Sequence, residues 1–139
     1  MKKSLIVSCC QAKLPGTHKA IDLYQGKVFK LIRKESLLDT VDVWIMSAEL
    51  GLIHSYDIIS YYEFKMNEER SKEFIEKGLP EKYPTGEIYI YGGKLYRDVL
   101  NSYFDNTIEL IGRNRGIGDH FSELLKFVHE YKPRGVLPI

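Results

Sequence analysis

Asp42-Val43-Trp44-Ile45-Met46-Ser47-Ala48-Glu49-Leu50-Gly51-Leu52 is the stretch on which the fold turns. Its first half is almost continuously apolar, as expected of a strand covered on both faces, and such strands belong to parallel sheets. Its second half opens into small and polar residues, where the strand ends. In an open parallel sheet the loops that leave the carboxyl ends of the strands form the ligand crevice.

Three other runs read as strands: Ser4–Ser8, Glu87–Tyr91 and Thr107–Ile111. The first is again nearly continuous. The other two alternate, which suits one of them to a sheet edge. Helical periodicity separates the runs. Val28, Leu31 and Ile32 share a face, with Lys27, Lys30 and Lys34 mostly turned from it. Leu95, Tyr96, Val99, Leu100 and Tyr103 make a second stripe, and Ile117, Phe121, Leu124, Leu125 and Val128 a third. A fourth helix over Asn67–Lys77 is highly charged, with only Phe74 and Ile75 as an apolar pair. Asn67 suits its cap, and Gly78 followed by Pro80 stops it. Its polarity makes it an expected lid or partner surface. Alternating strands and helices imply parallel pairing through right-handed crossovers. The expected fold is one three-layer α/β domain over residues 1–139, with a small, mostly parallel sheet of about four strands.

The bulk composition agrees. The chain has 139 residues, 44% hydrophobic and 28% charged, ordinary for one globular domain. No apolar run approaches membrane-spanning length, so no membrane partner is expected. The opening Met-Lys-Lys-Ser-Leu-Ile-Val-Ser is too briefly apolar for a secretory leader and ends in Cys-Cys-Gln-Ala-Lys, so it reads as the first strand. Cys9 and Cys10 are adjacent and the only cysteines, which excludes a disulfide framework and a cysteine-rich zinc site within one chain. That points to a reducing compartment, the cytoplasm. No spacing suggests a metal site, and no cofactor is expected. Charge is uneven: residues 1–34 hold eight Lys and Arg against one acid, whereas 35–87 hold five against twelve. The basic quarter either creates a field for phosphate or nucleic acid, or solvates the outer face of a helix.

If the strands are parallel, four exit loops meet on one rim. They are Ser8–Lys13, Ser47–Leu52, Gly92–Tyr96 and Gly112–His120. Gly92-Gly93 and Gly116-Ile117-Gly118 either offer N–H groups to an anion or make tight turns. Glu49 is a candidate general base or ribose ligand, or else a first-turn acid. Ser47 either touches a ligand or caps a turn. Cys9 or Cys10 is a candidate nucleophile near Lys13, or inert packing. His120 and His54 are candidate acid/base groups, or exposed capping residues. Tyr56, Tyr61 and Tyr62 either stack on a base or pack.

The order of these motifs resembles known families. Ser47-Ala48-Glu49-Leu50-Gly51-Leu52-Ile53, followed by Asp57, Ile59, Tyr62 and Met66, resembles the signature of YaaA-like peroxide-stress proteins. The chain is more similar still to a related family of small uncharacterised domains. It matches their Ser-Cys-x-x-Lys start through Ser8, Cys9 and Lys13, and their Leu-Tyr-x-x-x-x-Phe segment through Leu23, Tyr24 and Phe29. Ser47, Ala48, Gly51 and Leu52 match a Ser-Ala-x-x-Gly-Leu motif, and Gly93, Tyr96, Leu100, Gly116 and Gly118 the later ones. The resemblance spans nearly the whole chain. It implies an α/β fold with these loops gathered at one site, in a setting of nucleic-acid base modification, DNA binding or oxidative stress. Related members often carry another residue where this chain has Glu49, and YaaA-like proteins are longer.

The expected function is an enzyme acting on a nucleobase, a nucleotide or a modified base in nucleic acid. Lys13, Arg113 and Arg115 would hold phosphate. Tyr24 or Tyr62 would stack the base. Glu49, His120 or Cys9 would carry the chemistry, and Ser8, Ser47, Gly51, Gly92, Gly93, Tyr96, Gly116 and Gly118 would line the site. The alternative is a non-catalytic DNA-binding stress protein using the basic first quarter. A third is an interaction module docking through the charged helix.

Overall fold

The strand expected at Ser4–Ser8 is β1 (Lys3–Ser8), and it lies at the centre of the sheet. The computed structural model describes residues 2–112 and 117–134. Elements follow in the order β1, β2 (Thr17–Lys19), α1 (Ala20–Leu23), α2 (Lys27–Lys34), a 3₁₀ turn (Leu37–Asp39), β3 (Asp42–Ser47), β4 (Gly51–His54), β5 (Ile58–Ser60), α3 (Glu68–Lys77), β6 (Glu87–Tyr91), α4 (Lys94–Tyr103), β7 (Thr107–Glu109) and α5 (Ile117–Tyr131).

The main sheet has five strands in the order β4-β3-β1-β6-β7. β1 pairs in parallel with β3 and β6, and β6 with β7. The four expected strands are therefore all present and mutually parallel, with β7 at the edge. The fifth, β4, returns antiparallel to β3 and closes the other edge. Gly51-Leu52-Ile53-His54 sits directly behind a tight turn, and so short a segment shows no strand period of its own. A separate two-stranded antiparallel ribbon pairs β2 with β5.

Pleating sends alternate residues of each strand to opposite faces, and each face has its own helices. Leu5, Val7, Val43 and Ile45 pack with Phe29 and Ile32 of α2 and with Leu124, Phe127 and Val128 of α5. Ile6, Trp44, Met46, Ile88 and Ile90 pack with Phe74 of α3 and with Val99 and Leu100 of α4. This is the three-layer α/β arrangement, and each fully buried aliphatic chain contributes about 1.5–3 kcal/mol to it. Among the described residues no helix is long and apolar enough to cross a membrane.

The charged helix α3 is docked rather than loose. Asn67 Oδ1 caps it by accepting from Arg70 N–H at 2.8 Å, and Phe74 and Ser71 are buried. Ser71 Oγ donates to the Leu95 carbonyl at 3.1 Å, and Tyr103 Oη to the Phe74 carbonyl at 3.3 Å, which ties α3 to α4. An apolar pair per helix was too small a signal to reveal this seat.

The topology also locates a crevice. From β1 the chain crosses to β3 by way of α2, on one face. From β6 it crosses to β7 by way of α4, on the other face and in the opposite direction. β1 and β6 are neighbours whose exit loops therefore diverge, the topological switch point of an open parallel sheet.

Candidate functional site: a thiol and three phenols at the switch point

The exit loops of β1 and β6 touch at Ser8 and Gly92. A Cβ on Gly92 would lie 2.8 Å from Ser8 Oγ and 2.9 Å from Ser8 Cβ, so only glycine lets the two strand ends come this close. Arg97 reaches back from α4 and donates to the Gly92 carbonyl at 2.8 Å, while its Nε lies 3.4 Å from Glu109 Oε1. The junction is thus held from both sides.

One residue beyond β1, the Cys9 backbone N–H donates to the Met46 carbonyl at 3.0 Å, extending the pairing with β3 past the end of β1. Cys9 is half-buried there and packs against the cores on both faces of the sheet. The Ala48 N–H donates to Cys9 Sγ at 3.4 Å, and the Tyr96 hydroxyl lies 3.3 Å from the same sulfur. Residues from the ends of β1 and β3 and from the first turn of α4 converge on one atom. Burial first, and then the hydrogen bond to Cys9, push the Tyr96 phenol well above its ordinary 10.0. It keeps its proton at neutral pH. Cys10 turns aside. Its thiol donates to the Ala12 carbonyl at 3.3 Å, packs against Gly26, and is raised above the ordinary 9.0 by burial.

Beside the sulfur runs a chain of hydroxyls. Leu50 N–H donates to Ser47 Oγ at 3.0 Å, Ser47 Oγ donates to Tyr62 Oη at 2.8 Å, and Tyr62 Oη lies 2.6 Å from Tyr24 Oη. Three hydroxyl protons serve two oxygen–oxygen bonds, so one phenolic proton of the tyrosine pair has no acceptor among the described residues. Burial lifts Tyr24 to about 12 and Tyr62 higher still, and Cys9 lies close enough to add to both shifts. The spare proton is therefore present at neutral pH. Both rings are buried, and one face of Tyr24 stacks on Phe29 at 4.9 Å between centroids. Tyr24 and Tyr62, expected as stacking surfaces, offer hydroxyls instead.

Lys13 stands at the mouth. Its backbone pairs with Tyr24 in an isolated antiparallel bridge, and its ammonium sits 4.6 Å from the Tyr62 ring centroid. The Ser47–Gly51 turn that carries the hydroxyl chain is braced by Arg70, a residue no motif singled out. Arg70 Nε donates to the Ala48 carbonyl at 2.9 Å and Nη2 to the Glu49 carbonyl at 2.6 Å, with the guanidinium over the Phe74 ring at 4.2 Å. Gly51 itself (φ 83°) makes the turn possible and packs against Phe74 rather than facing the crevice.

The remaining candidates fall into three groups. Gly93 caps α4 beside Tyr96, in the crevice wall. Glu49 is exposed, on a surface cavity bordered by Arg70 and Glu73, and makes no hydrogen bond to the Cys9 group. His120 is half-buried in the first turn of α5, with Nε2 buried and without a partner among the described residues. Arg113, Arg115 and Gly116 lie outside the described residues, and Gly118 is placed only as backbone of α5. His54 and Tyr56 are far from the rim. His54 Nε2 meets Asp42 Oδ1 at 2.7 Å, its Nδ1 accepts from Tyr56 N–H, and Trp44 Nε1 donates to Asp42 Oδ2 at 2.7 Å. This group lies at the amino ends of the strands, opposite the crevice. A cavity of about 490 Å³ opens beside it, but its Asp42 and His54 are already paired to each other.

No curated protein matches the chain. Residues 5–125 match the model of DUF6884, a family of unknown function. That span runs from β1 into α5 and includes every group described in the crevice, so the chain belongs to the DUF6884 family.

Proposed function

We propose that this protein is an enzyme acting on a nucleobase, a nucleotide or a modified base in nucleic acid, with Cys9 at the reacting centre. One observation carries the reading: Cys9 Sγ is fixed by a backbone N–H and a phenol at the switch point, where such folds bind ligands. Cys9 attacks as its thiolate an electrophilic carbon of the bound base. The nitrogen or oxygen that receives the displaced electron pair takes its proton from Tyr96 or from the spare phenolic proton of the Tyr24–Tyr62 pair. Lys13 meets phosphate at the mouth. The resemblance of the sequence motifs to YaaA-like proteins and to base-modification domains supports the nucleic-acid setting of this reading.

The test is a set of nucleosides and nucleotides in a thermal-shift assay, with mass-spectrometric readout of Cys9 alkylation by iodoacetamide. A ligand at 100 times its Kd adds about 2.7 kcal/mol of stability. The expected result is a shift together with protection of Cys9, and a folded but inactive Cys9→Ser. Absence of both effects across the set at millimolar ligand overturns the proposal.

A non-catalytic DNA-binding reading draws on one specific observation. Lys27, Lys30 and Lys34 are exposed along α2, and no carboxylate pairs with them among the described residues. Charge reversal at the three lysines abolishes DNA binding on that reading and leaves small-ligand binding intact.

A further inference from the structure

Among the described residues of the crevice, the rings of Tyr24 and Tyr62 are buried and offer a ligand their hydroxyls rather than their faces. The open faces lie just outside it. The segments around Gln11–Lys13 and Tyr61–Lys65 enclose a surface cavity of about 410 Å³, lined by Gln11, Lys13, Tyr61, Glu63, Phe64 and Lys65. Tyr61 and Phe64 are 44% and 43% exposed.

Both rings are braced. The Tyr61 hydroxyl donates to Glu63 Oε1 at 2.5 Å, and the Arg70 guanidinium lies 5.7 Å from the Phe64 centroid. Braced aromatic rings at the surface lose little freedom when a flat ligand covers them. The cations beside them have capacity to spare. Lys13 Nζ donates to the Gln11 carbonyl at 3.3 Å and sits 5.9 Å from the Tyr61 ring, and among the described residues no carboxylate pairs with it. An ammonium carries three donors, so two remain. Lys65 is exposed and likewise has no carboxylate partner among the described residues. The one acid, Glu63, is engaged by Tyr61. Rings that stack, flanked by cations with free donors, complement a polymer of bases and phosphates. Lys13 joins this cavity to the crevice, because its ammonium also lies over Tyr62.

We infer that this cavity seats the nucleotide next to the one that enters the crevice, so that the substrate is a single-stranded stretch of nucleic acid rather than a free base or nucleoside. The inference rests on the reading of the crevice as a base-processing site. It assigns stacking to Tyr61 and Phe64 and the flanking phosphate to Lys13 and Lys65.

The experiment measures binding of fluorescent single-stranded DNA and RNA hexamers to the full chain by anisotropy, at several salt concentrations. In parallel, nucleosides are tested for protection of Cys9 from iodoacetamide. Wild-type protein binds a hexamer. Tyr61→Ala and Phe64→Ala each weaken it about five- to 150-fold, the range for one base–aromatic stack, while Tyr61→Phe retains it. Lys13→Gln lowers the salt slope by about 0.7. The rings are exposed, so the variants keep the wild-type melting temperature, which is checked. A hexamer that does not bind, or binds equally to both alanine variants, while a nucleoside still protects Cys9, overturns this inference and leaves the crevice reading standing. A hexamer that depends on both rings while no ligand protects Cys9 upholds the strand seat and sinks the crevice chemistry.

Discussion

The hydroxyl oxygens of Tyr24 and Tyr62 stand 2.6 Å apart, one on the segment before α2 and the other beyond β5. Their pKa values are raised by burial, Tyr24 to about 12, from an ordinary 10.0. A group whose folded pKa is raised stabilises the fold fully below its unfolded pKa and loses that contribution as pH climbs through the folded one. The contribution of these two phenols is therefore flat up to about pH 10. Above it each buried phenol removes up to about 1.4 kcal/mol per pH unit, because the unfolded chain ionises first. Denaturant melts from pH 8 to 12 measure the slope. Tyr62→Phe makes it shallower, and a slope unchanged by that substitution contradicts the assignment.

The two cysteines have different partners although they are neighbours. Burial holds the Cys10 thiol above 9.0, and its hydrogen goes to the Ala12 carbonyl. In Cys9→Ser the remaining thiol alkylates slowly at pH 8, and its rate inflects above pH 9. An inflection at or below 9 would sink this distinction. The rate–pH profile with iodoacetamide, read by mass spectrometry, decides it.

Gly92→Ala drives a methyl group into Ser8. Overpacking of this kind costs about 1–3 kcal/mol. Ser8→Gly removes both clashing atoms, so the double variant recovers part of the loss. The double-mutant cycle gives a coupling of about 0.5–3 kcal/mol, read from urea unfolding. Strict additivity of the two substitutions would mean that the loops do not touch.

Arg70→Ala frees two carbonyls of the turn after β3. Hydrogen bonds to a charged group are worth about 1.5–3 kcal/mol each, and the expected loss is about 2–4 kcal/mol because the side chain is partly exposed. Arg70→Lys does not restore it, since one ammonium cannot reproduce the guanidinium fork. Hydrogen exchange at the Leu50 amide, which donates to Ser47 Oγ, rises in both variants.

Much of this architecture was legible before the coordinates. The four parallel strands announced themselves through apolar runs, and Asn67 and Gly78 marked the ends of α3 by capping chemistry. Sequence was silent where the deciding fact was three-dimensional. Gly51 and Leu52 read as part of a loop because the four residues of β4, behind a tight turn, carry no measurable period. Tyr24 and Tyr62 read as stacking faces because a tyrosine's sequence position does not say which end is buried. Arg70 sat in a helix whose charge suggested a lid, yet its guanidinium faces inward to the Ala48 and Glu49 carbonyls. Ser8 and Cys9 were placed from sequence at the carboxyl end of a central strand, and that is where they lie, because a continuous apolar run marks a strand covered on both faces.

The Asp42–Trp44–His54 clasp lies at the foot of the sheet, and its neighbour Lys2 projects into solvent with 62% of its side chain exposed. For anyone who needs to attach this protein to a bead, a dye or a sensor chip, that end is the natural anchorage. A tether placed there leaves the opposite end of the sheet, with Cys9 and Lys13, pointing outward and unobstructed for long or bulky ligands.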